Sequence, residues 1–137
     1  MNNIHKVNRG EHHILVCEDN LLNCEIIEML LAEKLFIVDK AQNGAEAVKR
    51  FQESAIGYYD LILMDILMPV MDGITATKLI RGLERQDAAQ VVIVAMTANA
   101  FSEDVQMSLK AGMNAHLSKP IVVQTLMETV EKYLKRG

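Results

Sequence analysis

Residues 60–73 read DLILMDILMPVMDG, an apolar run that ends on a carboxylate. The run up to Met64 is typical of a strand that is buried on both faces. It ends at Asp65, and Pro69 follows shortly afterwards. A carboxylate directly after a buried strand carries a desolvation cost unless another group compensates it. The stretch therefore predicts a buried strand and marks Asp65 as a candidate functional residue.

The rest of the chain alternates between short apolar runs and longer segments with helical periodicity. Strands are predicted at HILVC (13–17), near LFIVDKA (35–41), and at YDLILMD (59–65), VVIVAMTA (91–98) and AHLS (115–118). Helices are predicted at 21–34, 45–54, 74–85, 102–110 and 123–134. Strict alternation of strands and helices indicates a parallel sheet with helices on both faces, because each right-handed crossover packs a helix back onto the sheet. The predicted fold is a doubly wound α/β domain.

Helical periodicity also predicts which residues are buried. The first helix is expected to bury a broad apolar face that includes Leu22, Ile26, Met29 and Leu30. The last helix is expected to bury one stripe, made of Val123, Leu126, Met127, Val130 and Leu134. The third helix contains Gly82 in its interior, at a cost of about 1 kcal/mol relative to alanine. Gly112 is expected to end the fourth helix as a left-handed C-terminal cap.

Length and charge narrow the class of protein. The chain has 137 residues, which suits a single domain, and we expect a polar tail over 1–12 and one domain over 13–135. A formal net charge of -4 argues against a phosphate-backbone binder, so nucleic acid is not expected as a direct partner. The sequence has no signal-peptide centre and no apolar stretch near the roughly 18 residues that span a bilayer. A cytoplasmic protein without membrane contact is the expectation.

The two cysteines, Cys17 and Cys24, fit the same compartment. They are too few for a disulfide framework, and their spacing matches no usual zinc-ligand pattern. We therefore expect reduced, partly buried thiols.

Polar residues stand at the carboxyl ends of four predicted strands: Glu18 and Asp19, Asp65, Thr97, and Lys119. In a doubly wound sheet, the site lies beyond the carboxyl ends of the strands, where the strand order reverses. Taken singly, these residues have simpler explanations: Asp19 could cap a helix, Thr97 could satisfy loop backbone, and Lys119 could be a surface charge. As a set, they are expected to converge on one crevice.

Such a set has a specific chemistry. Two carboxylates about 4 Å apart repel by about 4 kcal/mol at an effective dielectric constant near 20, so three acids in one crevice require a cation. Hard oxygen ligands select Mg²⁺, or a similar ion such as Mn²⁺, over zinc. A divalent ion, a lysine and a hydroxyl form a receptor for a phosphoryl group, whose transfer depends mainly on positioning and charge neutralisation. Asp65 is the predicted nucleophile.

Four motifs carry a family resemblance. LVCEDNLLN, LILMDILMPVMDG, VIVAMTAN and HLSKPI, in this order and at these separations, resemble the receiver domain of bacterial two-component response regulators, over about Ile14 to Leu134. The resemblance implies a flavodoxin-like, five-stranded parallel sheet with five helices. It also implies that Asp65 accepts a phosphoryl group from a phosphohistidine or a small acyl phosphate. Such a domain is a phosphoacceptor that assists its own phosphorylation and dephosphorylation, rather than an enzyme with an external substrate.

The resemblance assigns further roles. Glu18, Asp19, Asp65 and the backbone carbonyl of Leu67 would organise the Mg²⁺, while Thr97 and Lys119 would contact the phosphoryl oxygens and Ala98 would leave the site open. The peptide bond between Lys119 and Pro120 is expected to be cis. His116 occupies the position of the family's mobile aromatic residue, so Thr97 and His116 would form a switch. That switch would reshape the face made by the fourth helix, the fifth strand and the last helix.

The implied partners are a histidine kinase or a histidine phosphotransfer protein, and a downstream protein that the sequence does not identify. A phosphorylation-dependent dimer is a further expectation. The start at Met1 favours a stand-alone regulator, whereas His116 resembles receivers attached to hybrid sensor kinases, so both contexts stay open.

Two alternative functions fit less well. An aspartyl-phosphate phosphohydrolase of the haloacid dehalogenase type would place a second acid two residues after the nucleophile, where this chain has Leu67. A non-signalling flavodoxin-like binding module would carry a phosphate loop rich in glycine and hydroxyl groups after the first strand. This chain has EDNLLN there.

Overall fold

The computed structural model describes residues 11–98 and 103–134, and within them it confirms the predicted flavodoxin-like α/β fold. Five parallel strands form one sheet: β1 His13–Cys17, β2 Ile37–Ala41, β3 Leu61–Asp65, β4 Val92–Thr97 and β5 Ala115–Ser118. Five helices follow them in turn: α1 Leu21–Glu33, α2 Gly44–Glu53, α3 Gly73–Arg81, α4 Glu103–Ala111 and α5 Val123–Leu134. A short 3₁₀ turn, Gln86–Ala88, precedes β4. Most of the predicted polar tail lies outside the described residues, so the domain boundary stays a prediction.

The strand order β2-β1-β3-β4-β5 creates a switch point between β1 and β3. Val16 of β1 lies beside Leu63 of β3, and Leu63 lies beside Val94 of β4. From β1, the chain first moves outward to β2 and then crosses to the other side for the remaining strands. Ligands of such sheets bind at the carboxyl ends of the strands where this reversal occurs. A ligand site is therefore expected beside the residues that follow Cys17 and Met64.

The core has two halves, one on each face of the sheet. Ile62 and Met64 point to the side covered by α2 and α3, where Phe51 and Ile80 are fully buried. Alternate residues of β3, Leu61 and Leu63, point to the side covered by α1 and α5, and they pack in the cluster that contains Leu31, Leu126 and Val130. Burying each of these large side chains contributes about 1.5–3 kcal/mol. Since β3 is buried on both faces, the position of Asp65 at its end is firmly fixed.

The predicted buried face of α1 is wrong. The helix begins where expected, with Asn20 as its N-cap, but it buries Cys24, Ile27 and Leu31. The residues expected inside are partly or largely outside: Leu22 is 65% exposed, Ile26 41% and Met29 57%, while Leu30 is half-buried. Apolar residues stand on both sides of this helix, so periodicity alone does not fix which side meets the sheet. The consequence is an exposed apolar surface on α1.

Two further details of the helices differ from expectation. Gly82 is not interior to α3; the helix ends at Arg81, and Gly82 is its C-cap, whose N–H bonds to the carbonyls of Lys78 and Leu79. In α5, Leu126 and Val130 are buried as predicted, but Val123 in the first turn is exposed. The left-handed cap after α4 is confirmed, since Gly112 has φ +113°.

Cys17 and Cys24 are both free, buried thiols. Burial raises the pKa of each, that of Cys17 well above its ordinary value. Within the described parts of the chain, no helix is long and apolar enough to cross a membrane.

Candidate functional site

The five residues predicted from the strand ends lie around one cavity of about 270 Å³ at the carboxyl edge of the sheet. They are Glu18, Asp19, Asp65, Thr97 and Lys119, and Asn20, Asn23, Leu67 and Ala98 also line the cavity. The predicted convergence is therefore observed. We call this space the acidic cavity.

Glu18 is held rigidly at the end of β1. Its backbone N–H donates to the carbonyl oxygen of Ala41 (3.0 Å), and its Oε2 accepts from the N–H of Asn20 (3.1 Å). The side chain is only 1% exposed. Burial raises the pKa of this carboxyl, and the nearby carboxylate of Asp65 adds to the rise, although Lys119 and the Asn20 N–H oppose it.

Asp65 lies at the end of β3 with both carboxylate oxygens engaged. Its Oδ1 accepts from the N–H of Leu67 (3.1 Å), and its Oδ2 accepts from Nζ of Lys119 (2.8 Å). The following loop closes tightly, because Gly73 N–H donates to the carbonyl of Ile66 (2.9 Å). A Cβ at Gly73 would clash with the carbonyl oxygen of Asp65, so a glycine is required where α3 begins. The loop thereby holds Asp65 against the start of α3.

Lys119 follows β5 and reaches across to the acids. Its Nζ lies 2.8 Å from Asp65 Oδ2 and 3.0 Å from Glu18 Oε1. Burial by itself would lower the pKa of this ammonium, but its interactions with Asp65 and Glu18 outweigh that effect and raise it. The backbone N–H of Lys119 donates to the carbonyl of Thr97 (2.8 Å), and the bond to Pro120 is cis, as the resemblance implies. The side chain therefore stays charged inside the cavity.

The three acids fit a divalent ion. One carboxylate oxygen from each of Glu18, Asp19 and Asp65 lies within 4.8 Å of the others, so a single ion can contact all three. Among the described residues around this cavity, Lys119 is the cation that faces them, which leaves negative charge in excess. Carboxylate oxygens are hard ligands that suit Mg²⁺. Leu67 is placed at the rim with an exposed side chain, and the metal role of its carbonyl stays a prediction.

The predicted switch residues occupy different environments. Thr97 ends β4, is buried, and lines the acidic cavity. His116 is exposed on β5, where it lies beside Ala95 of β4. It lines a separate hollow of about 440 Å³ together with Ser118, Val122 and Thr125. Residues 99–102, between these two strands in the sequence, lie outside the described residues, so the switch stays a prediction.

The sequence analysis did not assign Asn23 to the cavity, and it did not predict the groove beside it. Asn23, in the first turn of α1, lines the acidic cavity and also a neighbouring space of about 430 Å³. We call this neighbouring space the α1 groove; its walls are Glu18, Asn23, Ile26, Ile27, Lys119, Pro120 and Ile121. The available signal was the second asparagine of EDNLLN, whose helical position places it near the strand end. The sequence alone gave it no chemical partner.

The family of the chain follows from residues 14–131, which match the family model described as response regulator receiver domain. The chain belongs to this family. Among its relatives, hybrid signal transduction histidine kinase B of Dictyostelium discoideum is 44% identical over an alignment of 131 positions, gaps included, that covers 88% of this chain. Probable histidine kinase 1 of Oryza sativa subsp. indica is 34% identical over an alignment of 150 positions, gaps included, that covers 88% of this chain. The receiver spans only 6% and 15% of the lengths of these two kinases.

Solved receivers have the same fold. The receiver domain of sensor histidine kinase PA1611 from Pseudomonas aeruginosa PAO1 superposes with a TM-score of 0.82 at 36% identity, over 91% of this chain and 98% of that one. That structure has a magnesium ion coordinated in its active site cleft. The receiver of Ssk1 from Saccharomyces cerevisiae, crystallised with the histidine phosphotransfer protein Ypd1, gives a TM-score of 0.80 at 34% identity, over 90% of this chain and 88% of that one. The present chain is thus a receiver domain of two-component signal transduction.

Proposed function

We propose that this receiver takes a phosphoryl group from a phosphohistidine onto Asp65 with the help of Mg²⁺. The observation that carries the proposal is the setting of the Asp65 carboxylate. It lies in an open, acid-lined cavity, 2.8 Å from an ammonium group and within 4.8 Å of two further carboxylates. An aspartate with a purely structural role at a buried strand end needs one compensating cation. Asp65 instead shares Lys119 with Glu18, and Asp19 lies close by.

In the proposed reaction, a carboxylate oxygen of Asp65 attacks the phosphorus atom of the donor. The new O–P bond forms as the P–N bond breaks, and the electron pair of the P–N bond stays on the imidazole nitrogen, which takes up a proton. With a small acyl phosphate as donor, the P–O bond breaks instead and a carboxylate leaves. Either reaction yields an acyl phosphate on Asp65.

The chain's own groups assist this transfer by neutralising charge. Lys119 moves from carboxylate to phosphoryl oxygen, and Thr97, at the same cavity wall, donates its hydroxyl. The N–H of Leu67, now 3.1 Å from Asp65 Oδ1, holds the carboxylate in line. A bound Mg²⁺, or Mn²⁺ in its place, would be held by Glu18, Asp19, Asp65 and the Leu67 carbonyl, and would neutralise charge on the phosphoryl oxygens.

The donor is a histidine kinase or a histidine phosphotransfer protein that docks over the α1 groove. Its phosphohistidine must approach through the mouth of the acidic cavity, so its docking surface must adjoin that mouth. Four apolar side chains of α1 are exposed, Leu21, Leu22, Ile26 and Met29, and Ile26 lines the α1 groove. Contiguous exposed apolar surface of this kind marks interaction sites. The Ssk1 receiver, whose crystal contains a phosphotransfer protein, supports the same class of partner.

The acyl phosphate adds about −1.5 to −2 charges and strong acceptor oxygens beside Thr97. Drawing Thr97 toward them would shift the end of β4 and change the surroundings of His116 on β5. The face formed by α4, β5 and α5 then favours a second packing, and a downstream partner or a second copy of the receiver reads the change.

Transfer from a phosphorylated histidine phosphotransfer protein to wild type and to Asp65→Asn tests the proposal. We expect wild type to gain one acid-stable, base-labile phosphoryl group and Asp65→Asn to gain none. Asp72→Asn is the matched control, because Asp72 is an exposed N-cap of α3, and asparagine caps a helix equally well. Labelling that persists in Asp65→Asn, or that is lost equally in Asp72→Asn, would remove Asp65 from this role.

A further inference from the structure

Asn23 is a polar wall residue of the acidic cavity for which the proposed transfer has no role. The other polar walls are accounted for, since Glu18, Asp19 and Asp65 form the acidic cluster, and Lys119 and Thr97 face it. Asn20, the remaining amide, is committed to the fold. Its Oδ1 accepts from the N–H of Asn23 (2.9 Å), and its own N–H donates to Glu18 (3.1 Å).

The side chain of Asn23 makes no such local contribution. Its backbone N–H is bonded by the cap, but no hydrogen bond of its carboxamide is found within residues 11–98 and 103–134. The residue is exposed, and asparagine is among the weaker helix formers, less favourable than alanine by up to about 0.7 kcal/mol. The carboxamide is therefore available to a group that enters the cavity.

Its location connects two spaces. Only three side chains line both the acidic cavity and the α1 groove among the walls described: Glu18, Asn23 and Lys119. Glu18 and Lys119 are already paired with each other at 3.0 Å. Asn23 is the one whose donors and acceptor are uncommitted, and a carboxamide offers two N–H donors and one acceptor oxygen. It thus lies between the groove where the partner is proposed to dock and the cavity that contains Asp65.

We propose that the carboxamide of Asn23 donates a hydrogen bond to a phosphoryl oxygen during transfer, which makes Asn23 a catalytic residue of this receiver. The inference rests on the proposed function. A neutral donor suits this place, because it stabilises the phosphoryl oxygens without adding a charge that would compete with the divalent ion or with Lys119. A hydrogen bond to a charged group of this kind changes a rate by roughly 10- to 100-fold.

The test compares two donors on matched variants. Asn23→Ala and Ile26→Ala are each treated with acetyl phosphate and with a phosphorylated histidine phosphotransfer protein, and the initial rate of Asp65 labelling is measured. Ile26 lines the α1 groove but not the acidic cavity, so its truncation removes docking surface alone. We expect Asn23→Ala to slow labelling by both donors by roughly 10-fold or more. Ile26→Ala should slow only the protein donor.

Two further measurements separate chemistry from other effects. Asn23→Asp has the same shape but replaces the N–H donor by an anionic oxygen, so it should slow acetyl phosphate labelling more than Asn23→Ala does. Mg²⁺ affinity, measured with the metal alone, should be the same in wild type and Asn23→Ala. Alanine at this position should not weaken α1, and circular dichroism checks that the variant is folded.

Several results would overturn the inference. Unchanged acetyl phosphate labelling in Asn23→Ala would reduce Asn23 to a docking residue like Ile26 or to no role at all. A fall in Mg²⁺ affinity as large as the fall in rate would place its action on the ion rather than on the phosphoryl group. If wild type itself takes no phosphoryl group from either donor, the proposed function fails, and this inference fails with it.

Discussion

Charged side chains lie buried or half-buried at both edges of the sheet, but their balance differs. At the amino edge, in the segment that leads into β4, Arg85 and Asp87 form a two-point ion pair with distances of 2.6 and 2.9 Å. Asp87 also accepts a hydrogen bond from the N–H of Gly57 (2.8 Å). The guanidinium of Arg85 lies 4.5 Å from the centre of the Phe51 ring and donates to the carbonyl oxygen of Phe51. Each charge there has an opposite charge and further hydrogen bonds.

At the carboxyl edge, three carboxylates face the single ammonium of Lys119 among the described walls of the acidic cavity. The surplus negative charge has no protein partner there and is the feature that a metal ion would complete. The comparison teaches that burial of charge alone does not mark a functional site. A balanced cluster holds loops together, whereas an unbalanced one, open to solvent, is built for a ligand.

Breaking the balanced cluster should have the largest effect on stability. Arg85→Ala leaves the Asp87 carboxylate buried without its cation, and we expect the free energy of unfolding to fall by about 3–5 kcal/mol. Urea denaturation measures it, with Arg50→Ala, an exposed arginine of α2, as the control that should change stability by less than about 0.5 kcal/mol. Equal losses in the two variants would contradict the assignment of Arg85 to a structural ion pair.

The same cluster predicts a pH dependence. Burial alone would raise the pKa of Asp87, but hydrogen bonds from Arg85 and Gly57 lower it below its ordinary value of 3.8. A lowered pKa in the folded state means that the stabilisation is present above pH 3.8 and is lost as the pH falls through the folded pKa. Wild type should therefore exceed Asp87→Asn in stability at pH 7, and the gap should shrink below pH 3.8. Urea denaturation at pH 7 and below pH 3.8 measures the difference in stability between the two proteins. A difference that stays constant would show that Asp87 acts without its charge.

Removing one charge from the acidic cavity should not destabilise the protein, in contrast to Arg85→Ala. Asp19→Asn removes one of three mutually repelling charges, so without Mg²⁺ we expect the free energy of unfolding to stay level or to rise slightly. Adding Mg²⁺ should then stabilise wild type more than the variant. Thermal unfolding with and without Mg²⁺ measures both effects. A clear loss of stability in metal-free Asp19→Asn would mean that this acid is structural after all.

Backbone strain provides the smallest comparison between the edges. Val70, in the loop after Asp65, has φ +70° and is 83% exposed, and Leu35, at the amino edge, has φ +69°. Valine, which is branched at Cβ, fits this left-handed region worse than leucine, which is branched only at Cγ. Val70→Gly should therefore stabilise the protein by roughly 0.5–1 kcal/mol, and Leu35→Gly by less. Urea denaturation of both decides the order; a larger gain at Leu35 would contradict it.

The sequence predicted the strands and the acidic cavity because both depend on local patterns joined by one topological rule. A buried strand such as LILMD is recognisable by itself, and parallel order brings its end next to the ends of its neighbours. Glu18, Asp65 and Lys119 are far apart in the chain, yet each stands at the end of a strand or directly after it, so their meeting needed no further information.

The misses have physical reasons too. The buried face of α1 could not be predicted, because Leu22 and Ile26 are apolar although exposed, and exposed apolar residues look like core residues in a sequence. The partners of Arg85 also could not be predicted: the carbonyl of Phe51 lies 34 positions away, and no periodic pattern connects them. Asn23 was missed because it was recognised only from the two spaces that it lines, and these exist only in three dimensions.

The central claim is that the acidic cavity holds one divalent cation through its surplus carboxylates. Calorimetric titration with Mg²⁺ of wild type, Asp19→Asn and Asp65→Asn tests it most directly. We predict saturable binding of one ion per chain in wild type and strongly weakened binding in both variants. Wild type that binds no Mg²⁺, or variants that bind it as tightly as wild type, would contradict the account.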